Sequence, residues 1–173
     1  MTLSLLLAVV LLAGLFAAAV VTSQRRRTAL RRLGDAPGWR WAARDDEAYA
    51  GLHGRPFGPA SGRRATNVLR GTHRGRPALV FDYSWLRYSS DGQGRQRGTI
   101  GRAAVCVLSV GAEQPPVPRR VRWTGRRKLH LGAAPGRVWS WRPGLLTADA
   151  LEAQLDAVCD LTCASGGAGT LAG

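Results

Sequence analysis

The residues best suited to acid–base chemistry are His73 and Asp82, because a histidine held by a carboxylate can act as a general base. They lie on two adjacent segments that alternate apolar and polar residues, with a predicted hairpin tip at Arg74-Gly75. In that hairpin His73 lies opposite Arg76. Asp82 then lies opposite Asn67, roughly 20 Å from His73 at about 3.3 Å per strand residue. We therefore predict that the two side chains form no dyad, and we assign no catalytic residue.

Three consecutive acidic residues, Asp45, Asp46 and Glu47, could supply paired carboxylates. They also stand where a short helix is predicted to begin, and acidic side chains there cap free backbone N–H groups and favour the positive end of the helix dipole. Capping explains them without any chemistry, so the sequence favours a structural role.

A metal or cofactor site needs ligands or a glycine loop in a suitable pattern. The candidate ligands are three scattered histidines and two cysteines near the C-terminus, namely His53, His73, His130, Cys159 and Cys163. The cysteines lack the C-x2-C spacing and a second ligand pair. Gly166, Gly167 and Gly169 follow a predicted helix, whereas phosphate-binding loops run from a strand into a helix. We predict neither a metal nor a cofactor.

Basic side chains are concentrated in two short segments of this chain, whose formal net charge is +14. One segment contains Arg25, Arg26, Arg27, Arg31 and Arg32. The other surrounds a predicted hairpin tip at Thr124-Gly125 and contains Arg119, Arg120, Arg122, Trp123, Arg126, Arg127 and Lys128. Such clusters bind the phosphates of nucleic acid or anionic lipid, and an interleaved aromatic residue is typical of single-strand grooves. A solvated turn is the alternative, with Val121 and Trp123 directed to a core.

The position of these segments is set by an apolar run from Leu3 to Val21 that only Ser4 and Gly14 interrupt. As a helix, nineteen residues extend roughly 28 Å, about the thickness of a hydrocarbon core. Arginines follow the run and no Lys or Arg precedes it, so the positive-inside rule predicts a single-pass cell-membrane protein with its N-terminus outside. A cleaved signal peptide is the alternative, since Ala17-Ala18-Ala19 resembles an exit site, but the charged n-region is missing.

This organisation predicts a transmembrane helix over residues 1–22, a basic juxtamembrane segment over 23–37, a cytoplasmic domain over 38–163 and a disordered tail over 164–173. The domain has the usual size of a single core. Three cysteines, two of them four apart in a predicted helix, imply no disulfide framework and fit a reducing compartment.

The pattern of apolar residues along the domain predicts an α+β fold. The helix of the anchor continues to Leu33, and Gly34 ends it. An antiparallel meander of short strands covers 65–110, and its last strand is central because both of its faces are apolar. Thr147 caps a final helix whose apolar stripe, Leu151, Leu155 and Val158, packs on the sheet. A small PH-like barrel is the alternative fold, and more than four strands are expected in either case.

Four segments have a recognisable pattern: Gly-Arg-Pro-Phe-Gly at 54–58, the stretch 63–71, Gly75-Arg76-Pro77 leading into Phe81-Asp82-Tyr83, and Trp-Arg-Pro-Gly-Leu at 141–145. Together they resemble a family of single-span membrane proteins of high-GC bacteria. The resemblance covers about half of the chain and implies an anchor followed by one domain. The family has a longer stretch before the final helix, and no established activity carries over from it.

The function predicted from the sequence is a membrane-tethered, non-enzymatic interaction module. Held beside the membrane, the segment 111–142 with its net charge of +7 meets anionic headgroups first. Each basic residue near the surface contributes about 1 kcal/mol to such binding. An acidic protein is the alternative partner for the same surface. A nucleic-acid-binding membrane protein and a membrane-associated enzyme are the other hypotheses, and the sequence disfavours both.

Overall fold

The computed structural model describes residues 2–90, 92–111, 120–123 and 127–164. It has the predicted α+β architecture: a long N-terminal helix, one antiparallel sheet and a C-terminal helix. The helices are α1 (Thr2–Gly34) and α2 (Ala148–Ala164). The strands are β1 (Arg40–Arg44), β2 (Ser61–His73), β3 (Arg76–Ser90), β4 (Gln96–Ser109), β5 (Arg120–Trp123), β6 (Arg127–Ala134) and β7 (Arg137–Pro143).

Helix α1 runs unbroken for 33 residues, so the anchor does continue into the juxtamembrane segment as predicted. Its part from Leu5 onward is long and apolar enough to cross a membrane, with a mean hydropathy of 2.8 over its best window. None of that window is buried, whereas Leu30 near the other end of the helix is completely buried in the domain. The apolar part of α1 therefore leaves the domain without protein cover.

The strands follow the order β1-β2-β3-β4-β7-β6-β5, which makes β4 the middle strand, as its two apolar faces predicted. Strands β2, β3 and β4 form the predicted meander but are longer than expected, at 13, 15 and 14 residues. The outer parts of β3 and β4 are exposed on both faces, so they lack the buried face whose alternation predicts a strand. Among the described residues no pairing joins β1 to β5, so the sheet is open rather than a closed barrel.

Each face of the sheet packs a separate apolar cluster, as the alternation along β3 predicted. Ala78 and Val80 lie in the cluster that α1 and α2 cover, together with the predicted stripe of α2. Phe81 and Tyr83 lie in the opposite cluster, which the segment between β1 and β2 covers with Leu52 and Phe57. Both faces of the central strands are thereby removed from water, which is the main source of stability in such a fold.

The predicted pairing of the first hairpin is correct at its tip and wrong farther along. His73 lies opposite Arg76, but Asp82 lies opposite Thr66 rather than Asn67. A bulge shifts the register between Thr66 and Leu69, and Asn67 adopts a left-handed backbone with φ 50°. One extra residue in β2 is sufficient to move every later partner by one position.

Two further predictions concern short segments. The acidic stretch begins a single turn of 3-10 helix, Asp46–Tyr49, where Asp45 is the N-cap and accepts a bond from the Glu47 N–H at 3.1 Å. Helix α2 includes Ala164, so the predicted tail is wrong at that residue, and 165–173 lie outside the described residues.

Candidate membrane-facing surface

The juxtamembrane part of α1 is fastened to the sheet by Arg26. Its Nη1 donates to Asp82 Oδ2 at 2.7 Å and to the carbonyl of Leu146 at 3.0 Å. The side chain of Asp82 is 5 % exposed and that of Arg26 is 18 % exposed. A carboxylate buried to that degree needs a paired charge, and a juxtamembrane arginine supplies it.

Asp82 has no free oxygen for acid–base work. Besides Arg26, its Oδ2 accepts from Asn67 Nδ2 at 2.8 Å, and its Oδ1 accepts from the N–H of Leu146 at 2.6 Å. The left-handed backbone at Asn67 belongs to the bulge opposite this carboxylate. Asp82 therefore joins α1, β2 and the segment before α2, and it does not pair with His73.

A second set of buried polar groups lies at the same level of the sheet, because Asp82 pairs with Ala104 and Ala104 pairs with Arg142. Arg142 Nε donates to Gln154 Oε1 at 3.3 Å, and Gln154 Nε2 donates to Ser140 Oγ at 3.0 Å. We call Arg26, Asn67, Asp82, Ser140, Arg142 and Gln154 the polar layer. Segments 63–71, 81–83 and 141–145, which carry much of the family resemblance, all contribute to it.

The contacts of α1 define two ends of the domain. Gly34 lies against Trp41, which is joined through Leu69 to Val80 of β3. Arg26, farther toward the start of the helix, lies at Asp82. The apolar part of α1 thus leaves the domain in the direction in which β3 runs toward Ser90. We call this the proximal end, and the end that holds the β2–β3 turn the distal end.

The hairpin formed by β5 and β6 turns at the proximal end. Pro143 pairs with Ala103, so β7 runs toward that end. His130 pairs with Trp141, and β6 therefore begins there. Trp123 pairs with Arg127, so the two strands are paired as predicted, while Thr124 and Gly125 lie outside the described residues. The sheet register thus brings the basic hairpin to the end from which α1 departs.

Only the backbone of this hairpin is described, at Arg120, Arg122, Trp123, Arg127 and Lys128. Arg119 and Arg126 lie outside the described residues.

The five juxtamembrane arginines divide into two kinds. Arg26 is bonded inside the protein, so it leaves the set of candidate surface contacts. The other four, Arg25, Arg27, Arg31 and Arg32, are exposed. The guanidinium groups of Arg27 and Arg31 lie 5.7 Å and 5.6 Å from the centre of the Trp41 ring, a cation–π geometry that holds them at the surface of the domain.

The distal end carries polar contacts that sequence reasoning missed. His73 Nε2 lies 2.9 Å from Asp156 Oδ1, and Arg74 Nη1 lies 2.6 Å from Asp160 Oδ1. These contacts join the β2–β3 turn to the acidic side of α2, opposite its apolar stripe. Burial raises the pKa of the neighbouring Cys159 thiol, which lowers its reactivity as a nucleophile.

A cavity of about 660 Å³ lies toward the distal end, beside the 3-10 helix. Arg70 and Arg137 line it, together with apolar residues such as Leu79 and Val107. Arg70 pairs with Asp45 and holds the pKa of that carboxyl below its usual range. Arg137 Nη1 lies 3.5 Å from the carbonyl of Ala50. These bonds close the β1–β2 connection over the sheet.

The described part of the chain contains no group of three His, Cys, Asp or Glu side chains that could hold a metal ion. Comparison of the chain with protein-family models, with curated proteins and with solved structures gives no match.

Proposed function

We propose that this chain is a single-span membrane protein, N-terminus outside, whose non-enzymatic cytoplasmic domain holds its proximal end against the anionic inner leaflet. The observation that carries the proposal is the coincidence of three features at one end of the domain. They are the departure of the apolar helix, the exposed Arg25 next to Arg26, and the ends at which β5 and β6 pair through Trp123 and Arg127.

The attachment of α1 supports a fixed orientation of the domain at the membrane. Arg26 and Leu30 belong to the packed interior, so α1 is part of the domain and not a flexible tether. From Arg26 to Val21 the helix covers about 8 Å, which holds the proximal end within reach of the headgroups. Because basic groups near an anionic surface act over about a Debye length, this distance favours lipid over a soluble acidic partner.

Orientation is tested by protease accessibility in intact and permeabilised cells, with a tag at the C-terminus. We expect the tag to resist digestion until the membrane is opened, and the N-terminal residue to be Met1 or Thr2. Ala17-Ala18-Ala19 lies inside the continuous helix α1, which supports an uncleaved anchor. Digestion in intact cells, or a mature N-terminus near Val20, would contradict the proposal.

Charge reversal tests the contact of the basic hairpin. The full chain is placed in nanodiscs, with Cys163→Ser and an environment-sensitive fluorophore on Thr124→Cys. We expect emission to shift to the blue when anionic lipid replaces neutral lipid. Arg126→Glu with Arg127→Glu and Lys128→Glu should abolish that shift, since about 1 kcal/mol per basic residue is lost and then reversed in sign.

The matched control is Arg40→Glu, because Arg40 is exposed and pairs with Arg70 toward the distal end of the sheet. It should leave the shift unchanged. If the triple variant and the unaltered chain showed equal blue shifts, the proposed contact of the basic hairpin with lipid would be wrong.

A further inference from the structure

Beyond the polar layer, β3 and β4 continue as a ladder that we call the arm, residues 84–90 and 96–102. Its pairs run from Ser84 with Arg102 to Ser90 with Gln96. Strand β7 ends at the level of Ala103, and β2 reaches only as far as Leu86. Past Leu86, no other described strand pairs with either edge of the arm.

The arm extends farther from the proximal end than Val21, the residue at which the apolar part of α1 ends on the side of the domain. From Asp82 to Ser90, eight strand residues at about 3.3 Å extend roughly 26 Å. From Arg26, which is bonded to Asp82, only about 8 Å of helix separates the domain from Val21. Because the arm is so much longer than this piece of helix, its tip reaches the level of Val21 even if the axis of the arm is inclined to the axis of α1 by roughly 70°.

The arm carries an exposed apolar stripe on the same face of the sheet against which α1 packs. Tyr88 is 57 % exposed and Ile100 is 64 % exposed, and outside α1 they are the large apolar side chains that the described residues leave most open. Leu86 pairs with Ile100, and Tyr88 is two residues farther along. Strand alternation puts all three on the face of Asp82, which contacts α1.

We propose that the arm is a second membrane contact, lying along the interfacial layer of the bilayer with Tyr88 and Ile100 among the headgroups. This rests on the proposed insertion of α1 but not on the charge of the β5–β6 hairpin. Tyrosine is favoured at that depth because its ring is apolar and its hydroxyl can stay hydrated. Arg102 lies on the same face, where the stripe meets the domain, and its guanidinium group can reach lipid phosphates.

Two features limit how deep the arm goes. Its outer edges have backbone groups without a partner strand, and such groups are not tolerated in the hydrocarbon core. Its tip is polar, with Ser89, Ser90 and Gln93. The arm therefore lies in the hydrated interface and does not span.

The experiment measures depth with a fluorophore on Ser90→Cys in a Cys163→Ser background, in full-length chain held in phosphatidylcholine nanodiscs. Cys106 and Cys159 are buried and Cys163 is exposed, so the single new thiol takes the label. We expect nitroxide placed near the top of the lipid acyl chain to quench Ser90→Cys several-fold more than the distal control Thr72→Cys. High salt should leave this quenching unchanged because the contact is apolar.

Tyr88→Ser with Ile100→Ser should lower quenching at Ser90→Cys to the level of the Thr72→Cys control. Quenching that is equal at both positions, or that needs anionic lipid, would overturn the inference. The latter result, together with a lipid-dependent shift at Thr124→Cys, would leave the proposed function standing. Quenching at Ser90→Cys in neutral lipid without a fluorescence shift at Thr124→Cys would support membrane contact by the arm. It would contradict the charge-based contact of the β5–β6 hairpin.

Discussion

Replacement of Asp82 by alanine is expected to lower the free energy of unfolding by about 3–5 kcal/mol, the cost of breaking a buried ion pair by removing one partner. Arg26 would keep a largely buried charge with no carboxylate, and the N–H of Leu146 and the amide of Asn67 would each lose an acceptor. Denaturant unfolding of the full chain in detergent, followed by tryptophan fluorescence, measures the change.

The matched control is Asp160→Ala, which removes an ion pair at the distal end. The side chains of Asp160 and Arg74 are 68 % and 52 % exposed, so water replaces the lost contact and the change should be much smaller. Asp82→Asn should fall between the two, because its amide oxygen can still accept from Leu146. Similar losses for Asp82→Ala and Asp160→Ala would mean that the polar layer does not hold α1.

Trp139→Ala is expected to cost a comparable amount, about 3–5 kcal/mol, through the cavity that it leaves. Trp139 is 2 % exposed and makes edge contacts with His53 and Phe57, at ring distances of 5.3 Å and 6.4 Å. Its indole also lies over Gly132 on the neighbouring strand, where a Cβ would meet the ring. The same unfolding experiment, followed by far-ultraviolet circular dichroism, measures the loss.

Tyr88→Ala is the control for Trp139→Ala, since it removes an aromatic ring from the arm rather than from the core. Tyr88 is 57 % exposed, so unfolding of the detergent-solubilised chain should barely change. A loss as large as that of Trp139→Ala would show that the arm is packed against the domain and is not available to the membrane.

Local periodicity determined the elements that the sequence predicts well. The stripe of Leu151, Leu155 and Val158 and the alternation from Ala78 to Trp85 each bury one face of one element, and the apolar run forms the exposed part of α1. Such patterns need only neighbouring residues, so α1, the meander and α2 followed from the chain alone. The arm was missed because its outer part is exposed on both faces and so lacks the buried face that local alternation reveals.

Contacts between distant segments were decided by the tertiary structure. Arg26 and Asp82 are 56 positions apart, and His73 and Asp156 are 83 apart. A lone aspartate on an apolar strand face was the one sequence signal of a buried ion pair, but it did not indicate which residue is the partner. The register that carries the β5–β6 turn to the departure end of α1 depends on every pairing across the sheet. The sequence by itself therefore determined the long apolar helix, the fold class and where basic residues lie along the chain. Only packing decided which charge is buried and from which end of the domain the apolar helix departs, because long-range pairing is selected by the whole core at once.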